Sequence, residues 1–283
     1  MDLYRTTKSL IEKYKLRPLK KWGQHFLVDE EVAEYIVSLA RPRSEYPIIE
    51  IGAGLGALTR LLAKYGSTIL AVELDKRIIP ALVEVIEGTP NIEVVLADFL
   101  KLGLVGKFSS IVSNLPYYIT SPILFKILEL DFEVAVLTLQ KEYGYRLVAK
   151  PGTENYGRVT VMVNLLAEVR ARRIVPPRAF YPRPEVDSII VELRRRKSKL
   201  KDVDLKLLKT VVTGLFTYRR KKVAKALKYF MSKSSLDLNV ERVLAEAGID
   251  VEKRVFWLSI EDFIRLTRVI KYTMESYSKK CIL

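Results

Sequence analysis

Asn114-Leu115-Pro116-Tyr117-Tyr118 closes the apolar run Ser110-Ile111-Val112-Ser113. The run reads as a short buried strand, and the β-breaking Pro116 just after it predicts a turn at the sheet's carboxyl edge. Open α/β sheets bind their ligands at that edge. An amide, a rigid turn and an aromatic ring placed there suit methylation of an exocyclic amino group. The lone pair of such an amine is delocalised into its ring, which makes it a poor nucleophile. The Asn114 side-chain carbonyl and the Leu115 backbone carbonyl can accept its two N–H bonds and turn the lone pair toward an electrophile. Tyr117 can stack on the base and favour the positive charge that develops on nitrogen. No general base is required, because the proton can leave after the methyl arrives. The same residues would also serve as a strand-end Asx turn with a core tyrosine.

A second set of residues suits an adenosine-bearing cofactor. Pro47-Ile48-Ile49-Glu50-Ile51 reads as a buried strand entering Gly52-Ala53-Gly54-Leu55-Gly56, and a helical pattern with Leu58, Leu61, Leu62 and Tyr65 follows. Strand, glycine turn and helix let backbone approach a ligand closely at a helix N-terminus. The next strand, Thr68–Val72, ends at Glu73, about where an acid meets a ribose diol. A third, Ile92–Ala97, ends at Asp98-Phe99, an acid and a ring that can accept from an adenine amino group and stack on it. Asp98 would equally cap the next segment and Phe99 sit in the core. The set leaves a dinucleotide and S-adenosyl-L-methionine (AdoMet) both open. The third glycine comes one residue earlier than in the dinucleotide fingerprint, which leans away from NAD.

The elements that must position these residues alternate. A short basic helix spans Thr7 to Tyr14, and Lys20 and Lys21 precede the loop Trp22-Gly23-Gln24-His25-Phe26-Leu27-Val28-Asp29. Asp29 is placed to cap a helix whose apolar face is Val32, Ala33, Ile36, Val37 and Ala40. After the strand that ends at Asn114 come a helix over Pro122–Leu130 and a strand over Val134–Leu139. Residues 150–160 read as loop, Val161–Leu166 as a strand, and Ser188–Leu193 as the last strand. Between these two, four prolines from Pro176 to Pro184 hold a loop extended so that it presents Phe180 and Tyr181. The pattern predicts an α/β fold with a parallel, doubly wound sheet over residues 1–195. A charged linker around Arg194, Arg195 and Arg196 opens a smaller all-helical domain over residues 196–283. Within it, Arg219, Arg220, Lys221 and Lys222 are expected to fan around one helical turn, Gly248 to end a helix, and Ser259 with Asp262 to open the final one as a capping box.

Composition narrows the chemistry further. The net charge is +15, and residues 196–283 hold 21 basic and 10 acidic residues. The excess is thus concentrated in the last third, as a footprint for a polyanion would be. A lysine-rich solvated surface is the plainer alternative. One cysteine, Cys281, excludes an internal disulfide or a cysteine-cluster zinc site, and one histidine, His25, argues against a histidine metal centre. No run is long and apolar enough for a membrane span, and the start of the chain lacks a signal-peptide core, so a cytoplasmic protein with no membrane partner is expected.

Taken together, these motifs resemble the KsgA-type ribosomal RNA adenine dimethyltransferases over nearly the whole length, in the form of the archaeal and eukaryotic branch. The resemblance rests on Gly23–Leu27, Glu50–Gly56, Glu73, Asp98, Asn114–Tyr118, Phe180–Ser188, the basic stretch from Phe216 to Leu227, and Arg254 with Leu258-Ser259. It implies a Rossmann-like class I AdoMet-dependent methyltransferase sheet and AdoMet as cofactor. The implied reaction is N6,N6-dimethylation of two adjacent adenosines in the 3′-terminal hairpin loop of small-subunit rRNA, within a pre-ribosomal particle. By motif, Gln24, His25, Leu27, Gly52, Gly54, Gly56, Glu73, Leu74, Asp98, Phe99 and Asn114 would contact or shape the cofactor pocket. Asn114, Leu115, Pro116, Tyr117 and Phe180 would hold the target adenine. Lys20, Lys21, Arg194 to Arg196 and Arg219 to Lys222 would meet RNA. The enzyme is expected to be monomeric and metal-free. The competing readings are a large-subunit rRNA adenine methyltransferase, a mitochondrial transcription-factor relative, an assembly factor with vestigial catalysis, and a dehydrogenase. The dehydrogenase leaves the Asn-Leu-Pro-Tyr turn and the basic domain unexplained.

Overall fold

The computed structural model describes residues 2–19, 22–42, 45–196, 203–233 and 239–280, the last four for their backbone alone. The chain divides into two compact units, Met1–Gly144 with Ala167–Arg195, and Tyr145–Leu166 with Arg196–Leu283. The second unit therefore takes in residues 145–166, which the sequence pattern assigns to the first domain.

In the first unit, helix α1 (Leu3–Lys13) starts at Asp2, whose carboxylate accepts the Arg5 N–H at 3.0 Å. Strand β1 (Phe26–Leu27) follows, then α2 (Glu30–Ala40), capped by Asp29 through the Val32 N–H as the sequence predicts. The alternation continues through β2 (Ile48–Ile51), α3 (Thr59–Ala63), β3 (Ile69–Glu73), α4 (Ile79–Ile86), β4 (Ile92–Leu96), β5 (Lys107–Asn114), α5 (Thr120–Glu129) and β6 (Asp131–Gln140). Helix α6 (Lys141–Leu147) carries the chain into the second unit, which holds α7 (Arg158–Leu166), and the chain returns to the first as β7 (Ala167–Val175), β8 (Phe180–Tyr181) and β9 (Ser188–Arg195).

Seven strands form one sheet in the order β4-β3-β2-β5-β6-β9-β7, and β1 pairs with β8 in a separate ribbon. The five strands from β4 to β6 are parallel, while β9 and β7 run antiparallel to their neighbours. All four residues of β2 are buried, as a central parallel strand requires. The chain runs outward from β2 to β4 and then crosses to the other side of β2 for β5 and β6. The switch point therefore lies between β2 and β5, where open sheets bind ligands. Register sets Ile51 beside Val72 on one side and Ser113 on the other, and Glu73 beside Leu96. The carboxyl ends of four strands thus come level at one edge. Helix α2 packs on the sheet by burying Val32, Ala33, Ile36, Val37 and Ala40 with Ile48, Val112 and Val136. Each Ile or Val so buried contributes about 1.5–3 kcal/mol.

The second unit packs α7 with α8 (Leu205–Phe216), α9 (Val223–Lys233), α10 (Val240–Glu246) and α11 (Ile260–Lys280) around Leu208, Leu215, Leu227, Phe263 and Leu266. Both helix-end signals are realised. Gly248 takes φ +64°, and the Ile249 and Gly248 N–H groups return to Leu244 and Ala245 in a Schellman closure. Ser259 and Asp262 exchange side chain-to-backbone bonds at 3.0 and 2.8 Å.

Three expectations fail. The sheet is mixed rather than wholly parallel, because β9 and β7 enter it antiparallel. Val161–Leu166 is helical, not a strand: its β-branched residues are overridden by burial of Thr160, Val161, Val163 and Leu165. Arg219 to Lys222 lie in the turn between α8 and α9 rather than on a helix.

Candidate active site

A cleft opens along the level strand ends. Its wall comprises the segment Trp22–Leu27, the turn residues Gly52–Leu55 with Ala57 and Leu58, Glu73-Leu74, Ala97–Leu100, and Asn114 with Pro116 and Tyr118. The structure thus brings Gln24, His25, Leu27, Gly52, Gly54, Glu73, Leu74, Asp98, Phe99, Asn114 and Pro116 to one cavity.

Its floor is the glycine turn. Gly52 has φ +75°, and a Cβ there would meet no protein atom within 4 Å, so the space above the backbone is open to a ligand. Gly56 also has positive φ but faces away from the cleft: a Cβ on it would stand 2.8 Å from Val85 Cγ1 of α4. Its role is close helix packing, and it does not line the cavity.

Glu73, nearly buried, accepts the Gly54 N–H with Oε2 and the Leu74 and Asp75 N–H groups with Oε1, all at 2.8 Å. Burial raises its pKa more than these three donors lower it, and the Asp75 charge adds to the rise. The carboxylate ties the glycine turn to the end of β3 while lining the cleft. Asp98 caps the Leu100 N–H at 3.0 Å, so the plainer capping role is present together with a place on the wall, and Phe99 beside it is buried.

Glu50 is a wall residue that the sequence reading does not single out. It is 2% exposed, and its Oε2 has no hydrogen-bond partner among the described residues. Burial pushes its carboxyl up to about 8; the nearby Thr59 hydroxyl, outside normal hydrogen-bond geometry, pulls it back and the Glu73 charge raises it further. The sequence signal was an acid inside the otherwise apolar run of β2.

On the opposite wall, Asn114 Nδ2 donates to the His25 carbonyl at 2.8 Å. A carbonyl only accepts, so this bond fixes which end of the amide carries the NH2 and leaves Oδ1 as an oriented acceptor. By the same logic His25 Nδ1, 2.7 Å from the Pro182 carbonyl, carries a proton. Gln24 accepts from the Leu19 N–H and donates to Asp75, both at 2.8 Å, which straps the Trp22–Leu27 segment over the end of β3.

Tyr117 and Phe180 do not line the cavity. The Tyr117 hydroxyl bonds Ser188 Oγ at 2.6 Å, its ring stacks on His25 with centroids 6.1 Å apart, and burial raises its pKa against that bond. Tyr118, 57% exposed, is the tyrosine on the wall. Leu115 is buried and donates its N–H to Thr138 at 3.1 Å. Phe180 is 2% exposed within the hydrophobic core, so the proline-rich loop does not present it. Register explains this: β8 pairs Phe180 with Leu27 and Tyr181 with Phe26, and alternation turns Phe180 inward.

The expected RNA cations divide. Lys20 and Lys21 lie outside the described residues. Arg194 pairs with buried Glu192, and Arg195 bonds the Leu128 and Leu130 carbonyls. Arg196 is half-buried, and its backbone N–H bonds Leu166. Arg219 bonds the carbonyls of Thr153, Glu154 and Tyr156, and Lys222 pairs with Glu252. Arg220 and Lys221 are exposed with no ion pair among the described residues. No group of His, Cys, Asp and Glu that could hold a metal occurs among those residues, and none of their helices is long and apolar enough to cross a membrane.

Comparison with known proteins bears on this geometry. A family model described as ribosomal RNA adenine dimethylase matches residues 16–271. The chain is 45% identical over 219 residues, 77% of its length and 79% of the relative's, to a probable ribosomal RNA small subunit methyltransferase A of Methanopyrus kandleri. It is 39% identical to the ribosomal RNA small subunit methyltransferase A of Bacillus mycoides over 93% of its length and 95% of the relative's. Among solved structures it is similar to a dimethyladenosine transferase from Plasmodium falciparum, at 27% identity and a TM-score of 0.79, covering 88% of this chain and 98% of that one. It is also similar to the 23S rRNA methyltransferase ErmE, at 33% identity and a TM-score of 0.68, covering 87% and 99%.

Proposed function

Since the chain belongs to the ribosomal RNA adenine dimethylase family, we propose that it dimethylates N6 of two adjacent adenosines in the 3′-terminal hairpin loop of small-subunit rRNA during subunit assembly. It is an rRNA adenine dimethyltransferase with a class I methyltransferase fold, and AdoMet is its methyl donor. The finer reading assigns it a pre-ribosomal particle as substrate, the cytoplasm as its place of action and a monomeric state.

The cavity fits the donor. The open space above Gly52 admits a ligand against backbone, and the acids Glu73 and Asp98 stand at successive strand ends where a ribose diol and an adenine amino group need acceptors. Gly52, Gly54, Leu27, Leu74 and Phe99 would enclose it, with His25 and Gln24 holding the covering segment. When bound, the cofactor supplies a methyl group already activated for transfer.

The chain's own task is alignment. Asn114 Oδ1, oriented by the His25 carbonyl, would accept one N–H of the target amine, and the Leu115 carbonyl the other. This turns the lone pair toward the cleft and lowers the cost of charge developing on nitrogen. Pro116 holds the turn, and Tyr117, braced by Ser188 and His25, would back the base. Adenine must leave its stack to reach this edge, which costs least in a hairpin loop. The observation that carries the reading is the fixed amide of Asn114 facing the same cavity as Glu73.

Asn114→Ala tests it. One oriented transition-state contact is worth about 2.7–4 kcal/mol, so methyl transfer at saturating substrate should fall about 100- to 1,000-fold, with RNA binding retained. Transfer at the wild-type rate would place the chemistry elsewhere.

A further inference from the structure

Half of a tryptophan is left in solvent on the second unit. Trp257 is 51% exposed at the end of a short 3-10 turn, Val255–Trp257. A lone exposed apolar side chain is ordinary, but a tryptophan held rigid offers a large flat face of the kind that dominates contact energies.

The ring is not loose. A Cβ on Gly152 would come 2.3–2.7 Å from three atoms of its six-membered ring, so the indole lies flat against glycine backbone that only glycine allows. Gly152 has φ +85°, and its N–H bonds the Phe256 carbonyl at 2.7 Å, which locks the two turns together. Phe256 packs beside the indole with centroids 5.8 Å apart, and the Arg219 guanidinium covers Phe256 at 5.2 Å. The indole is therefore pre-set, and binding to its free side would order little that is not already ordered.

Its surroundings select the partner. The turn bearing Trp257 is stitched to the turn bearing Arg220 and Lys221: the Val255 N–H bonds the Lys221 carbonyl at 3.1 Å, the Phe256 N–H the Arg219 carbonyl at 3.2 Å, and the Val223 N–H the Lys253 carbonyl at 2.7 Å. Arg220 and Lys221 are the exposed cations of the cluster without an ion pair among the described residues. A rigid aromatic face beside free cations is how proteins hold unpaired nucleotides, the ring taking the base and the cations the phosphates. We propose that Trp257 is a stacking platform for an unpaired base of small-subunit rRNA, distinct from the target adenosines, with Arg220 and Lys221 meeting the flanking phosphates. This rests on the reading of the chain as an rRNA methyltransferase and adds a second point of RNA contact outside the cleft.

The test compares wild type, Trp257→Ala and Trp257→Phe on protein-free small-subunit rRNA and on small-subunit particles, with thermal unfolding followed in parallel. Stacking on one base is worth about 1–3 kcal/mol, so Trp257→Ala should weaken binding to free rRNA about 5- to 150-fold, and Trp257→Phe should recover part of it. The salt slope should not change, because no charge is removed. Rigid stacking should also quench wild-type tryptophan fluorescence on RNA addition by an increment that Trp257→Phe lacks, a readout independent of how Trp257→Ala folds. Unchanged affinity, or quenching equal in wild type and Trp257→Phe, overturns the platform. Loss of binding to particles but not to free rRNA also overturns it, assigning the indole to a protein neighbour. Failure of wild type itself to methylate small-subunit RNA would instead sink the reading beneath it.

Discussion

Glu50 is a buried acid in the wall of the cleft. Burial holds its carboxyl near 8, against 4.5 for the free group. Between those values the folded protein keeps a proton that the unfolded chain has lost. Stability therefore falls as pH rises through that window, by up to about 1.4 kcal/mol per unit. Glu50→Gln, which mimics the protonated acid, should match wild type near pH 4.5 and become increasingly more stable than it up to pH 8. Urea unfolding across that range checks this, and parallel stability curves would contradict it. At this scale the sequence was informative wherever an acid or amide ends an apolar run, as at Glu73, Asp98 and Asn114. It misled at Phe180, because four prolines suggest an exposed loop while the pairing of β8 with β1, which turns the ring inward, is a long-range contact with no local signature. Glu50 was legible as part of a motif but not as a wall residue, since its burial depends on both neighbouring strands.

At the scale of elements, the glycine turn separates two roles that one motif carries. Gly52 leaves room for a ligand, and Gly56 leaves room for α4. An alanine at 56 combines a positive-φ cost with a 2.8 Å contact to Val85, whereas Gly66 shares the φ, at +75°, and would meet nothing. Gly56→Ala should therefore destabilise by about 1–3 kcal/mol beyond Gly66→Ala in urea titrations. Equal losses would mean that backbone conformation alone selects glycine there. The alternation of strands and helices up to β6 is readable because each strand is apolar and each helix has one apolar face. Helix α7 was not, because Val159, Thr160, Val161 and Val163 have strand propensity and only their packing with α8 and α11 makes a helix pay. The capping pairs Asp29 with Val32 and Ser259 with Asp262 were readable, being local.

At the scale of the whole molecule, the positive charge of the last third points to RNA, but only the fold tells which cations are free. Arg219 satisfies three carbonyls and Lys222 a carboxylate, which leaves Arg220 and Lys221. Arg220→Gln with Lys221→Gln should weaken association with small-subunit RNA and flatten its salt slope by up to about two units, with AdoMet affinity unchanged. An unaltered slope would make this turn a solvated face. The similarity to a 23S rRNA methyltransferase sharpens what must be decided for the molecule as a whole. The most direct measurement is to map methylated adenines, by mass spectrometry of nuclease fragments, after the purified protein and AdoMet act on small- and large-subunit RNA side by side. The expected product is N6,N6-dimethyladenosine at two adjacent positions in the 3′-terminal hairpin loop of the small-subunit RNA. Dimethylation confined to large-subunit RNA, or at scattered single adenines, would contradict it.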